Sequence, residues 1–320
     1  MRALILASGG VISAKIVSKW ISIGNSVAAL WLPGKTAKRA STHSTMLGRV
    51  APPWSISAII RRHNVPAETS PPLSDRSELD SRIKQLNADV LITAMTHQIV
   101  PDFVLERFPG RAVNFHPAIL PHYRGPNPRS GMILDHQGAL FGGITLHELS
   151  CRIDRGDIIG RRVVPYDPEK GFIQWDVRQA RAAADLVKTE LQAYLRGTLT
   201  PETQSFAAGS YRRVRSDELF LTEDKSAGRM RWLCEELGPS GWIKHRSGNA
   251  GPETCCTVYR YIGQLGPRTG QAPRITRFAI EFDAADARVR VRRISWWTEL
   301  TKMLNYLCCI KRTSPRKLER

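Results

Sequence analysis

Long apolar runs are missing from this chain. No segment approaches the ~18 consecutive apolar residues of a spanning helix, since Lys15, Lys19 and Asn25 interrupt the most apolar stretch, so no membrane is expected among the partners. Cysteine is scarce. The six are Cys151, Cys234 and the adjacent pairs Cys255-Cys256 and Cys308-Cys309, spacings that match neither a zinc ribbon nor a disulfide scaffold. A cytoplasmic location follows as the expectation. The opening MRALILASGG agrees with it, having one early arginine and an apolar run but no small-residue cleavage site. Acids are also in deficit, 29 against 47 lysines and arginines, a formal charge of +18. That imbalance speaks to anionic partners and not to fold. Over half of the excess lies in residues 206–320, with 22 bases against 12 acids.

Several motifs are absent as well. There is no G-x-G-x-x-G, and no acid closes the SVAALWL strand to hold a ribose, which argues against a dinucleotide cofactor. No G-x-S-x-G elbow occurs, and Cys151 sits in no recognisable nucleophile motif, which argues against covalent catalysis. His116, His147 and Asp154 lack the spacing typical of zinc ligands, so no metal is expected.

What is present is alternation. Residues 2–7 (RALILA) form a short apolar run before Gly9-Gly10, and Ile12, Ile16, Val17 and Trp20 then recur at helical spacing. SVAALWL (26–32) reads as the next strand, and the basic stretch with Lys35, Lys38 and Arg39 after Pro33-Gly34 as a long loop. Helices are expected over 56–63 and around Leu79, Ile83 and Leu86, then strands at 89–94 and 112–116, with a short helix between them that Pro101 can begin. Two more strands fit 140–149 and 157–164. A helix fits 176–196, capped by Asp176 and stopped by Gly197. The pattern predicts an α/β fold with an open, mostly parallel twisted sheet and helices on both faces, Rossmann-like, over residues 1–205. Residues 206–320 are read as a smaller, basic, strand-rich domain. Its ARVRVRRI run alternates Arg288, Arg290 and Arg292 with Val289 and Val291, so a strand there has one wet, positive face. That face is either solvated surface or, with Trp296 and Trp297 close by, a nucleic-acid or anion surface.

The densest group of unusual residues is NFHPAILPHYRG, 114–125. Asn114 and His116 stand two apart at a strand end, so both side chains leave one face. Ligands of open sheets bind at the carboxyl ends of strands. Pro117, Pro121, Pro126 and Pro128 stiffen the connector that follows. A second segment, GGITLHELSCRIDRGDI (142–158), adds His147, Asp154 and Asp157. An amide, an imidazole and a carboxylate suit acyl-group transfer, which needs a donor where oxygen turns negative and a base for the incoming proton. Each residue also has a plain structural role open to it: a backbone partner for His116, a tight turn for Asp154, a loop bond for Asn114.

NFHPAILPHYRG, followed 38 residues after His116 by Asp154 in IDRGDII, resembles the signature of the folate-dependent formyltransferase family, Asn-x-His-Pro-Ser-Leu-Leu-Pro and then Asp-x-Gly. The resemblance spans about residues 1–205 and includes Gly143, Thr145 and His147 in a G-x-T-x-H pattern. It implies a 10-formyltetrahydrofolate co-substrate and an amine acceptor. It also implies catalytic roles for Asn114, His116 and Asp154, with His147 in support. By the same similarity the donor lies between Thr96, His97, Gln98, Ile99 and Val100 on one loop and Cys151 and Ile153 on another. Arg124 can face an anionic substrate or the folate tail.

The sequence departs from the family signature at Ala118, in place of serine, and at Ile119, in place of leucine; both changes keep the loop rigid. Four functions fit. The first is an N-formyltransferase for a small amine, such as a nucleotide-linked amino sugar. A methionyl-tRNA formyltransferase is the second, favoured by the basic last third but not by LTEDKSAGRMRW, which lacks the tryptophan expected after Ile-Asp. The third is a 10-formyltetrahydrofolate deformylase and the fourth a noncatalytic basic RNA-binding protein.

Overall fold

The computed structural model describes residues 1–42, 46–96, 98–207, 209–246 and 255–313, with backbone alone at 39–42 and 46. These fall into two compact units, Met1–Pro165 with Asp176–Arg213, and Tyr166–Trp175 with Val214–Arg320. No described helix is long and apolar enough to cross a membrane.

The first unit opens with β1 (Arg2–Ala7), α1 (Val11–Ser22), β2 (Ser26–Leu32), α2 (Gly34–Thr42), α3 (Met46–Val50) and α4 (Ile56–His63). It continues through β3 (Ala67–Thr69), α5 (Arg76–Leu86), β4 (Val90–Ala94), α6 (Asp102–Leu105) and β5 (Ala112–His116). The remaining elements are α7 (Pro128–Leu134), α8 (Gly138–Phe141), β6 (Gly143–Glu148), β7 (Ile158–Val163), α9 (Gly171–Lys188), whose residues belong to this unit from Asp176 on, and α10 (Glu190–Leu195). The sheet order is β3-β2-β1-β4-β5-β6-β7, and only β6 runs against the others. This is the open, mostly parallel sheet that the alternation predicts.

Burial explains why these segments pair. Every residue of β4 is buried, as a strand covered on both faces requires. On α1, Ile12, Ile16, Val17 and Trp20 are buried along one stripe, each contributing about 1.5–3 kcal/mol. The Trp20 indole N–H is satisfied by the Ser26 carbonyl at 2.8 Å. Asp75 caps α5 by accepting from Glu78 N at 3.0 Å, and Asn87 ends it in a left-handed conformation.

Two expectations are corrected. The basic stretch at 35–39 is helical, not a long loop, because the Pro33 carbonyl accepts from the N–H groups of Thr36 and Ala37 and so starts α2 at once. The helix expected over 176–196 begins earlier, at Gly171, since buried Phe172, Ile173 and Trp175 extend its apolar stripe upstream. Asp176 is therefore inside α9, where its carboxylate takes the Arg129 guanidinium at 2.5 Å instead of capping. Thr189 breaks the run into α10, its hydroxyl donating back to Asp185 O at 2.8 Å.

The second unit carries β8 (Phe220–Leu221), α11 (Ala227–Leu237), β9 (Lys244–His245), β10 (Cys256–Gly266), β11 (Arg274–Ile275), β12 (Ala279–Asp283), β13 (Arg288–Arg293) and α12 (Trp296–Arg312). Its six-stranded sheet has the order β11-β12-β13-β10-β9-β8. The wet arginine face expected on β13 is largely neutralised. The register sets Asp283 opposite Arg288 and Glu281 opposite Arg290, leaving Arg292 against Ala279. Arg288 is buried and donates to Asp283 Oδ1 at 3.0 Å, and Arg290 Nε donates to Glu281 at 2.8 Å. Acids that alternate on β12 answer bases that alternate on β13.

Candidate active site

The strand register assembles the site. Parallel pairing sets Thr93 of β4 beside Asn114 of β5, and antiparallel pairing sets His147 of β6 on the other side of Asn114. These three side chains form one hydrogen-bonded row across the sheet. The Thr93 hydroxyl donates to Asn114 Oδ1 at 2.7 Å, and the Asn114 amide donates to His147 Nε2 at 3.0 Å. His147 Nδ1 in turn donates to the Glu148 carbonyl at 2.7 Å, which fixes its tautomer with Nε2 free to accept. The amide of Asn114 is thereby locked, oxygen towards Thr93 and nitrogen towards His147.

His116 ends β5 and is buried, with Nε2 donating to the Tyr123 carbonyl at 2.9 Å. Its Nδ1 lies 3.5 Å from Asp154 Oδ1. The same oxygen stands 3.4 Å from Asn114 Nδ2 and 3.6 Å from His147 Nε2. The second oxygen, Oδ2, accepts from Gly125 N at 2.8 Å. One carboxylate oxygen thus faces all three polar groups while the other is anchored to backbone.

Electrostatics assign the resting charges. Burial, with the neighbouring His147, pushes the pKa of His116 below the ordinary imidazole value despite the opposing pull of Asp154. The imidazole is therefore neutral near pH 7. Burial works to raise the Asp154 pKa, but His116, His147 and the Gly125 N–H overcome it and hold the carboxyl well below its usual range. Asp154 stays ionised.

Backbone geometry places these groups. Asp154 has φ 53° and Tyr123 φ 52°, left-handed conformations that non-glycine residues rarely take and that concentrate where a side chain must be aimed. The glycine of Asp-Arg-Gly is required sterically, because a Cβ on Gly156 would lie 1.9 Å from the Glu148 carbonyl oxygen. Gly125, at φ 103°, would meet the Tyr211 ring at 2.7 Å. Thr145 pins the connector, donating to Ala118 O at 2.7 Å and accepting from Leu120 N at 3.1 Å.

A strap from farther along the chain secures both loops. Gln204 Nε2 donates to the Asp154 and Gly156 carbonyls. Ser210 Oγ accepts from Tyr123 N at 2.9 Å, and Ser210 O accepts from Arg124 N at 3.0 Å. Arg212 pairs with Asp135 at 3.1 Å. Residues 206–213, grouped by composition with the C-terminal domain, thus bond to the connector at 121–125.

The structure brings together Asn114, His116, His147 and Asp154 as the sequence reading pairs them. Thr93, the Tyr123 carbonyl, the Gly125 N–H, Gln204 and Ser210 were not anticipated. Only Thr93 carries a signal, as the lone hydroxyl within buried VLITA.

At the expected donor loops, Gln98 N donates to Thr96 Oγ1 at 3.2 Å and Gln98 Oε1 accepts from Ser70 at 2.8 Å. Ile99 is 66% exposed and Ile153 44%, while Cys151 is exposed with a free thiol. Val100 turns into the core with Leu91, Val104 and Phe108, so it offers backbone alone. Among the described residues, the backbone groups of Ile99 and Val100 take no hydrogen-bond partner. Exposed apolar side chains beside unpaired backbone fit a flat heterocycle such as a pterin. His97 lies outside the described residues. Arg124 is only 7% exposed, its guanidinium 5.1 Å from the Phe206 ring centroid.

Comparison with known proteins agrees with this architecture. Residues 55–186 match the formyl transferase family model. A methionyl-tRNA formyltransferase of Roseiflexus sp. strain RS-1 is 30% identical over 193 residues, 60% of this chain and 58% of that protein. The corresponding enzyme of Bdellovibrio bacteriovorus is 31% identical over 152 residues, 48% of this chain and 47% of that one. The chain thus spans about half the length of these curated relatives. Among solved structures, the N-formyltransferase of Helicobacter canadensis, in complex with folinic acid and dTDP-3-aminofucose, superposes with TM-score 0.56. The identity is 14%, over 92% of this chain and 99% of that one. A sugar N-formyltransferase of Shewanella sp. also gives 0.56, at 15% identity over 83% and 98%. At such identities the likeness is one of fold.

Proposed function

From the premise that the first unit bears the fold and signature of the folate-dependent formyltransferase family, we propose that the chain moves a formyl group from 10-formyltetrahydrofolate to the amine of a small acceptor. A nucleotide-linked amino sugar is the first choice of acceptor. The observation that carries the reading is Asp154 Oδ1, with an amide and two imidazoles 3.4–3.6 Å from it at the carboxyl end of β5.

The co-substrate would supply an activated formyl carbon, and Thr96, Ile99, the backbone of 98–100, Cys151 and Ile153 would hold it. Asn114 contributes the one side-chain N–H positioned for the formyl oxygen as it gains charge. His116 works through Nδ1 alone, since Nε2 is committed to Tyr123. Being neutral, Nδ1 accepts a proton from the attacking amine and returns it to the departing nitrogen, so the exchange balances without a protein-bound acyl group. Asp154 stabilises the imidazolium that forms in between, and His147 holds the Asn114 amide in register. Arg124 serves the acceptor side. In this reading residues 1–205 are the catalytic domain and 206–320 an accessory one.

A second reading, formylation of methionyl-tRNA, is favoured by the names of the curated relatives. The sugar reading is supported by solved sugar enzymes that extend over 83–92% of this chain. Both are tested together by following formyl transfer from 10-formyltetrahydrofolate to dTDP-amino sugars and to charged initiator tRNA, with Asn114→Ala and His116→Ala beside the parent. Removal of the Asn114 donor is expected to lower kcat about 10²–10³-fold. Turnover of neither acceptor, or full turnover in both variants, would sink the proposal.

A further inference from the structure

Two arginines stand beside the site carboxylate along its two loops, and among the described residues neither is paired with an acid. Arg124 precedes Gly125, whose N–H holds Asp154 Oδ2, and Arg155 follows Asp154 directly. Both converge on one ring: Arg124 Cζ is 5.1 Å and Arg155 Cζ 4.8 Å from the Phe206 centroid. Arg124 is nearly buried, yet the one side-chain hydrogen bond it makes among the described residues is a long one, from Nε to Ser210 O at 3.4 Å. Neither arginine forms an ion pair among the described residues. Elsewhere the fold answers buried guanidiniums with carboxylates, as Arg129 with Asp176 and Arg288 with Asp283. Burial, then repulsion from Arg155, lowers the Arg124 pKa, with Asp154 pulling the other way. Two cations gathered at one aromatic ring, with no carboxylate paired to either among the described residues, suit an anion.

We infer that Arg124, Arg155 and Phe206 form an anion subsite for the formyl acceptor, which selects amines that carry a phosphate or carboxylate close to the reacting nitrogen. The inference rests on the formyltransferase reading and narrows its substrate class. Phe206 offers its ring to both guanidiniums, Ser210 aims Arg124, and the Gly125 contact sets the distance between the anion and the proton-transfer centre.

The donor's glutamate carboxylates are the other possible source of such an anion, and the test separates the two. Inorganic pyrophosphate is titrated calorimetrically into the full chain and into Arg124→Gln, Arg155→Gln and the double variant, each first checked by thermal melting, with and without saturating 5-formyltetrahydrofolate. The parent is expected to bind pyrophosphate, each single variant to bind it at least ~10-fold more weakly, and bound folate to leave that affinity unchanged. Folate affinity is expected to be equal in all four proteins. No pyrophosphate binding by the parent, equal binding by the variants, displacement by folate, or a loss of folate affinity in the variants would each overturn the subsite. Arg124→Lys, which keeps the charge but not the fork, is expected to recover part of the affinity, and a lack of any recovery with an altered melt assigns Arg124 to packing instead. Asn114→Ala separates the two readings, since it stops transfer without touching pyrophosphate binding if both hold. Intact anion binding in a parent that never transfers formyl removes the reaction, not the cation pair.

Discussion

His116 and His147 in the first unit and His245 in the second are all nearly sealed from solvent, yet their ring nitrogens are placed in opposite ways. Each site histidine has one nitrogen anchored to a backbone carbonyl and the other turned towards Asp154. Among the described residues His245 has neither nitrogen bonded, and it packs against Phe282 with ring centroids 4.2 Å apart. An anchored ring exchanges protons at a single defined atom. An unanchored ring is simply kept neutral, its pKa pushed down to about 4 by burial. The charged groups divide in the same way: β12 and β13 pair acids with bases at 3.0 and 2.8 Å, whereas Asp154 Oδ1 meets its neighbours only at 3.4–3.6 Å. Tight pairing serves stability, and the looser spacing leaves capacity for a reacting group.

The contrast can be broken at its strongest point with Asp154→Asn, which suits the left-handed backbone and retains an acceptor for Gly125 while removing the charge. A fall of about 10³-fold or more in kcat/KM is expected with little change in Tm. In the parent, the acid limb of kcat/KM should lie below pH 6.5, because His116 is held below that value; a limb at or above it contradicts the neutral base. His245 provides the next largest effect. Its folded pKa, about 4, lies below the ordinary 6.5. The folded state therefore binds fewer protons than the unfolded one, and stability that is complete above pH 6.5 is lost as the pH falls towards 4. The loss approaches about 3 kcal/mol. His245→Leu should flatten that dependence in chemical denaturation, and an unchanged slope would refute the assignment. Thr93→Val releases the Asn114 amide and should cost about 10-fold in kcat, roughly one hydrogen bond, with folate affinity kept. Arg290→Met, which removes a half-exposed pair with Glu281, should shift stability by less than about 1 kcal/mol. A larger shift would mean that the ladder is structural to a degree its exposure does not imply.

Local features were legible in the sequence and long-range ones were not. Apolar runs and glycines marked β1, α1, β2 and β5 because burial and turn chemistry act over a few residues. The spacing of Asn114, His116 and Asp154 pointed to one centre. His147 was signalled by its G-x-T-x-H pattern, whereas Thr93 joins that centre only through strand register, which no local pattern encodes. The helical character of 34–42 was hidden by its charge, and the neutralised face of β13 by the fact that its acids sit on another strand. Gln204 and Ser210 act across 50 and 87 residues of chain, through bonds to Asp154 and Tyr123.

That last connection bears on how a minimal catalytic fragment should be cut. A truncation at residue 205, where composition changes, would keep Asn114, His116, His147 and Asp154 and still remove Phe206 together with Ser210 and Arg212, the rivets of the connector. The shortest useful piece therefore ends no earlier than Arg213, and a clip by protease between 205 and 210 would idle the catalyst while leaving its sheet whole.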